Sequence, residues 1–236
     1  MKYVSTRTGS GPDAPAVGFL TAILSGLAPD GGLYVPETWP ELTFDEIAGF
    51  AGQPYHRVAA DLLGRFTGGE IPQDALEEMC EEAYSSFTHA ATCPVKQLSA
   101  GLFTVELFHG PSLAFKDVAM QLLGRLYDYA LARHGRTMTV VCATSGDTGG
   151  AAVEAFRGRT NVRIVALFPE GRISEVQRRF MTTAGESNVA CVSVDGTFDD
   201  CQAILKSLFG DDQFRHAVGL SGRLRRCRSV NHQPRR

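Results

Sequence analysis

The sequence predicts an α/β protein, a helical N-terminal region followed by parallel βα units, and three observations carry that reading. From about residue 101, apolar β-rich runs at 102–108, 137–143, 162–168 and 189–194 alternate with helical patterns. These runs are almost continuously apolar, as strands buried on both faces are, and repeated strand–helix–strand units close into a parallel sheet. Before residue 98 the apolar spacing is that of helices instead. The expected division is a helical domain at 1–98, an α/β domain at 99–222 and a basic tail at 223–236.

In the first region Val17, Leu20, Leu24 and Leu27 share one helix face. That helix stops at Pro29-Asp-Gly-Gly32, whose glycines supply positive φ. Thr43-Phe-Asp-Glu46 is a capping-box pattern opening a second helix. Two more are expected at 55–66 and 73–87, the latter introduced by Pro72, with Glu77, Glu78, Glu81 and Glu82 on a solvated face. In the second region helices are expected at 114–134, 148–157, 174–184 and 198–209. Ser174-Glu-Val-Gln177 and Thr197-Phe-Asp-Asp200 are the cap patterns of the last two.

With 236 residues, 44% of them hydrophobic and 21% charged, the chain can bury a core as an ordinary globular protein does. Its opening residues Met1-Lys-Tyr-Val-Ser-Thr-Arg7 lack the apolar stretch of a signal peptide, and no run approaches the roughly 18 apolar residues of a membrane helix. A cytoplasmic protein without a membrane partner is expected. Cys80, Cys93, Cys142, Cys191, Cys201 and Cys227 form no CxxC pair, and the histidines no ligand cluster, so no metal site is expected. The last fourteen residues, from Arg223, hold six arginines and no acid; the remainder has 17 basic against 26 acidic groups, a net −9. An acidic body argues against nucleic acid as a partner.

Two stretches carry chemistry. In Glu106-Leu-Phe-His-Gly-Pro-Ser-Leu-Ala-Phe-Lys116-Asp117 a lysine is expected in the first turn of a long helix striped by Ala119, Leu122, Leu123, Leu126 and Ala130. A cation there faces the positive end of the helix dipole, a penalty of roughly 0.3–1 kcal/mol. Burial and the helix terminus both act against the ammonium form, as an amine nucleophile requires. The plain alternative is an exposed lysine paired with a nearby carboxylate. His109 is the histidine worth keeping, for its place beside this motif. The second stretch, Thr144-Ser-Gly-Asp-Thr-Gly-Gly150, joins a strand to a helix as an anion cradle would, yet has neither P-loop nor GxGxxG spacing.

Phe108-His-Gly-Pro-Ser-Leu-Ala-Phe-Lys-Asp117 with Ala143-Thr-Ser-Gly-Asp-Thr-Gly149 resembles the threonine synthases. Gly26-Leu-Ala-Pro-Asp-Gly-Gly-Leu-Tyr-Val-Pro36, Phe168-Pro-Glu-Gly-Arg-Ile-Ser-Glu-Val-Gln-Arg178 and Gly196-Thr-Phe-Asp-Asp-Cys-Gln202 are similar to further blocks of that family, in family order. The resemblance implies a tryptophan-synthase-β-like, fold-type-II enzyme using pyridoxal 5'-phosphate, with Lys116 forming the Schiff base and shuttling protons. It implies O-phospho-L-homoserine as the substrate, converted with water to L-threonine and phosphate. Asp147 would neighbour the cofactor's phenolic oxygen, where related β-replacement enzymes carry Asn. Ser145, Thr148 and the amides of Gly146 and Gly149 would grip the substrate carboxylate. Another fold-type-II lyase or deaminase is the near alternative, and a non-catalytic anion- or amino-acid-binding protein the distant one.

The resemblance runs through residue 222 and gives way to arginine-rich sequence without periodicity. The family's later half, which supplies a glycine-rich loop for the cofactor phosphate and a group facing the ring nitrogen, has no match here. The abrupt change is expected to reflect a reading-frame shift. The chain by itself is then expected to bind cofactor weakly, form no threonine and expose apolar strand surface.

Overall fold

The computed structural model describes residues 1–9, 15–211, 213 and 214. The expected tail at 223–236 and the end of the expected second domain, 215–222, lie outside the described residues.

The N-terminal region is helical, with a small antiparallel ladder that the sequence pattern did not announce. Strand β1 (Tyr3–Ser5) pairs with β2 (Tyr34–Pro36), and between them lies α1 (Phe19–Ser25). The Gly26–Pro36 block owes its shape to Asp30. Its carboxylate accepts from Thr8 Oγ1, from Gly32 N at 2.8 Å and from Ser5 Oγ at 2.7 Å, and these bonds hold its pKa down at about 2. Next come α2 (Phe44–Gly49), opened by the complete Thr43–Glu46 capping box, then α3 (Tyr55–Thr67) and α4 (Gln73–Ser85).

The first run expected in the parallel sheet is not there. Residues of β3 (Val95–Ser99) and β4 (Leu102–Val105) form a separate antiparallel hairpin, exposed along its whole length. A run of apolar residues signals burial only where another layer covers it, and none of the described elements covers this one. The hairpin also straddles the boundary expected at 98/99.

The parallel sheet has the order β5–β6–β7, from β5 (Met138–Ala143), β6 (Val162–Pro169) and β7 (Val189–Val194). Helix α5 (Asp117–Arg133) precedes it; α6 (Asp147–Phe156) and α7 (Glu175–Thr182) are the crossovers, and α8 (Phe198–Gly210) follows. Alternate side chains point to opposite faces of a strand. Met138, Val140, Ile164 and Ala166 accordingly meet Tyr127, Leu131, Val153, Phe156 and Met181 on one face. Val141, Ala143 and Leu167 meet Cys201 and Phe209 of α8 on the other. β7, at the sheet's edge, is only half-buried.

Helix α5 is shared by two cores. Its Tyr127 and Leu131 face the sheet side, while Leu122, Leu126 and Ala130 pack against Phe19, Leu20, Leu76 and Cys80 of the N-terminal helices. Ala119, expected on the same stripe, is exposed. The layers are therefore N-terminal helices, then α5 with α6 and α7, then the sheet, then α8. Among the described residues no helix is long and apolar enough to cross a membrane.

Gly124 sets how closely α5 and α6 approach, since a Cβ there would lie 2.2 Å from Ala155 O, a backbone atom that cannot swing aside. Gly124→Ala is expected to destabilise the fold by about 1–3 kcal/mol, despite alanine's better helix propensity. Urea denaturation checks this; an unchanged or higher midpoint would mean that the helices do not cross so tightly.

Candidate active site

Lys116 lies at the N-cap of α5, one residue before the first turn, with φ −64° and ψ −22°. Asp117 takes the first-turn position, where a carboxylate suits the dipole. The helix starts at 117 and not near 114 because residues 110–116 fold into turns around Asp117. That carboxylate is fully buried and accepts from Ser112 N at 2.8 Å and Ser112 Oγ at 2.7 Å. Burial pushes its pKa up, opposed by these bonds and by bonds from the backbone of Ala114 and Leu113. Leu113 sits at φ +62°, a left-handed conformation costing a side-chain-bearing residue on the order of 1–3 kcal/mol. Gly110 backs onto the same carboxylate group, and a Cβ there would fall 2.4 Å from Asp117 Cβ.

The second loop leaves the buried end of β5. Gly146, at φ +134°, is the N-cap of α6, and Asp147 is the first residue of that helix. Thr144 fills the inside of the turn, 1% exposed, and its Oγ1 accepts from Gly146 N at 3.0 Å and Gly149 N at 2.8 Å. The two amides expected to grip a ligand both donate inward to Thr144 in this structure. The amides of Ser145 and Asp147 have no protein acceptor among the described residues. Ser145 is exposed at the tip, while Thr148 is buried and places its amide 2.8 Å from Asp147 Oδ1. Gln177 of α7 packs on the turn, since a Cβ at Gly146 would meet Gln177 Oε1 at 2.2 Å.

The two loops meet. Lys116 Nζ lies 2.6 Å from Asp147 Oδ2, with 17% of the lysine side chain and 39% of the aspartate side chain exposed. Burial works to raise the Asp147 pKa, but hydrogen bonds from Lys116 and Thr148 and the lysine's charge outweigh it and hold the carboxyl below the usual range. The ring of Phe115 lies 4.4 Å from Nζ, and Leu113, Phe115 and Phe108 are all more than half exposed around the lysine. Lys2, Lys96 and Lys206 are exposed, and Lys116 alone is drawn in. His109 turns its Nε2 to Glu106 at 2.9 Å and packs beside His89 and Phe108, not onto Lys116.

The structure thus gathers Lys116, Asp147, Ser145, Gly146, Thr148 and Gly149 at one place. Sequence reasoning missed Thr144, Asp117, Ser112 and Gln177. A threonine ending a buried strand just before Ser-Gly was the available signal for the first; the others are read only from three-dimensional closure.

The family model described as threonine synthase N terminus matches residues 2–84. The threonine synthase of Pseudomonas aeruginosa is 47% identical over 214 residues, covering 91% of this chain and 45% of that protein. That of Schizosaccharomyces pombe is 41% identical over 230 residues, covering 93% and 44%. The crystal structure of PLP-bound threonine synthase from Brucella melitensis superposes with a TM-score of 0.89 at 55% identity, covering 94% of this chain and 47% of that one. The chain belongs to the threonine synthase family. It spans a little under half the length of the threonine synthases it matches. The structure of the yeast threonine synthase, at 39% identity, gives a TM-score of 0.85 over 94% of this chain.

Gly146→Val tests the turn. Valine at φ +134° is strained by on the order of 1–3 kcal/mol, and its Cβ would strike Gln177. The expected result is a loss of unfolding free energy of at least that size in urea denaturation and loss of the 2.6 Å Lys116–Asp147 contact in a crystal structure. A variant as stable as the parent would show that the turn is not held in this form.

Proposed function

We propose that this chain contributes the reactive lysine of a threonine synthase, a pyridoxal 5'-phosphate-dependent lyase converting O-phospho-L-homoserine and water to L-threonine and phosphate. The observation that carries the reading is Lys116, the one lysine withdrawn from solvent, hydrogen-bonded to Asp147 where the lysine loop meets the glycine-rich turn. A primary amine beside a carboxylate and two amides without protein acceptors suits an aldehyde cofactor and an anionic amino acid.

When bound, pyridoxal phosphate supplies an electrophilic aldehyde and a ring that withdraws electrons from the carbon next to a bound amino group. Lys116 would hold that aldehyde and, once displaced by the substrate's amino group, carry protons between Nζ and the substrate Cα and Cβ. Asp147 orients Nζ through the 2.6 Å hydrogen bond it accepts and would neighbour the cofactor's phenolic oxygen. The Ser145 hydroxyl and the amides of Ser145 and Asp147 would receive the substrate carboxylate at the head of α6, where the dipole favours negative charge. Gly146 and Gly149 shape that turn through Thr144, and Thr148 backs Asp147. No described residue is assigned to the substrate phosphate, the cofactor phosphate or the ring nitrogen. A reducing, cytoplasmic setting suits Cys80, Cys93, Cys191 and Cys201, none of which is in a disulfide.

Borohydride reduction of the protein in the presence of pyridoxal phosphate, followed by peptide mapping, is expected to find the pyridoxyl group on Lys116. Lys116→Ala should keep its far-ultraviolet circular dichroism and lose the borohydride-reducible absorbance band that excess pyridoxal phosphate gives with the parent chain. Pyridoxyl on Lys96, or a reducible band that survives the substitution, would contradict the reading.

A further inference from the structure

Asp117 is the least accessible carboxylate beside the lysine, and its surroundings are built for it. The Ser112 amide donates to one of its oxygens at 2.8 Å and the Ser112 hydroxyl to the other at 2.7 Å, while the Leu113 amide turns back to Gly110 O at 3.1 Å. Leu113 at φ +62°, where leucine is not the ordinary choice, makes the turn that brings Ser112 over the carboxylate. Gly110 closes the back of this turn, with no room for a side chain.

The folded loop carries Lys116 at its end and leans on the second loop. Ser112 Cβ lies 3.8 Å from where a Cβ of Gly150 would stand, and Asp147, the partner of Lys116, is one helical turn before Gly150. Ser112 thus stands over α6 at Gly150, and Lys116 at the end of the same loop reaches Asp147 one turn away.

We propose that Asp117 is a positioning residue: by gripping Ser112 from within the turn, its carboxylate aims Lys116 Nζ at Asp147 and keeps it from solvent. The proposal deepens the reading of Lys116 as the reactive amine, and it is tested without relying on cofactor or turnover. An asparagine at 117 keeps the shape but removes the charge and replaces one acceptor oxygen with a donor, so the two charge-assisted bonds from Ser112 become weaker neutral ones.

The experiment is trace acetylation of the full chain with acetic anhydride, quantified lysine by lysine by mass spectrometry, with exposed Lys96 as the internal reference. In Asp117→Asn, Lys116 labelling relative to Lys96 is expected to rise about fivefold, and in Ser112→Ala about twofold, as one or more hydrogen bonds are lost. Both are measured well below the urea midpoint of each variant, where a residue that merely stabilises the fold would leave the ratio unchanged. A ratio unchanged in the folded variants overturns the proposal; if Asp117→Asn does not fold, Ser112→Ala decides alone. Should reduction place the pyridoxyl group on another lysine, the functional reading fails while the labelling result still stands, so the two failures are distinguishable.

Discussion

Gly124 lets α5 approach α6 until a methyl group would touch the Ala155 carbonyl, and that approach fixes where the two helix N-termini lie. Each N-terminus ends a loop, one bearing Lys116 and the other Asp147, so a contact between helices becomes a 2.6 Å contact between side chains. Glycine is a poor helix former, and its presence here exchanges local propensity for tertiary approach. The cores reinforce the same point. α5 packs against the N-terminal helices on one side and the sheet side on the other, which leaves it no freedom to slide relative to either.

Around this rigid pair the surface is uneven. Val95, Leu98, Leu102, Phe103 and Val105 on the hairpin and Phe108, Leu113 and Phe115 near the lysine are all more than half exposed. Exposed apolar surface was expected on the strands of the parallel sheet. In the structure β5 and β6 are covered on both faces, β7 is half-buried with Val192 exposed, and further open apolar surface lies on the hairpin and the rim of the lysine loop.

Much of the α/β region was legible because long periodic patterns are controlled by the layers they join. The three parallel strands and the helices after them lie within a few residues of expectation, and the Thr43 and Thr197 caps form as their side chains require. The β1–β2 ladder was not legible, since three-residue strands some thirty residues apart carry no period. The hairpin misled because an apolar run looks the same whether it is covered or not. At the site, residue types located the lysine and the turn, but the direction of each amide was invisible. Thr144 takes the Gly146 and Gly149 amides through its Oγ1, and a leucine at positive φ is not a choice that propensity suggests. The reason offered for Lys116, a cation in the first turn, also shifted. The helix begins one residue later, with Asp117 in that place and Asp147 beside the amine.

The contact between Lys116 and Asp147 can be captured by a reagent that joins an amine to a carboxylate without adding atoms between them. Treating the folded protein with a water-soluble carbodiimide and mapping the products by mass spectrometry should yield an amide bond between Lys116 Nζ and the Asp147 carboxyl, absent in Asp147→Asn. A Lys116 that stays unlinked, or that links to a different carboxylate in the parent protein, would contradict the convergence of the two loops on which the account rests.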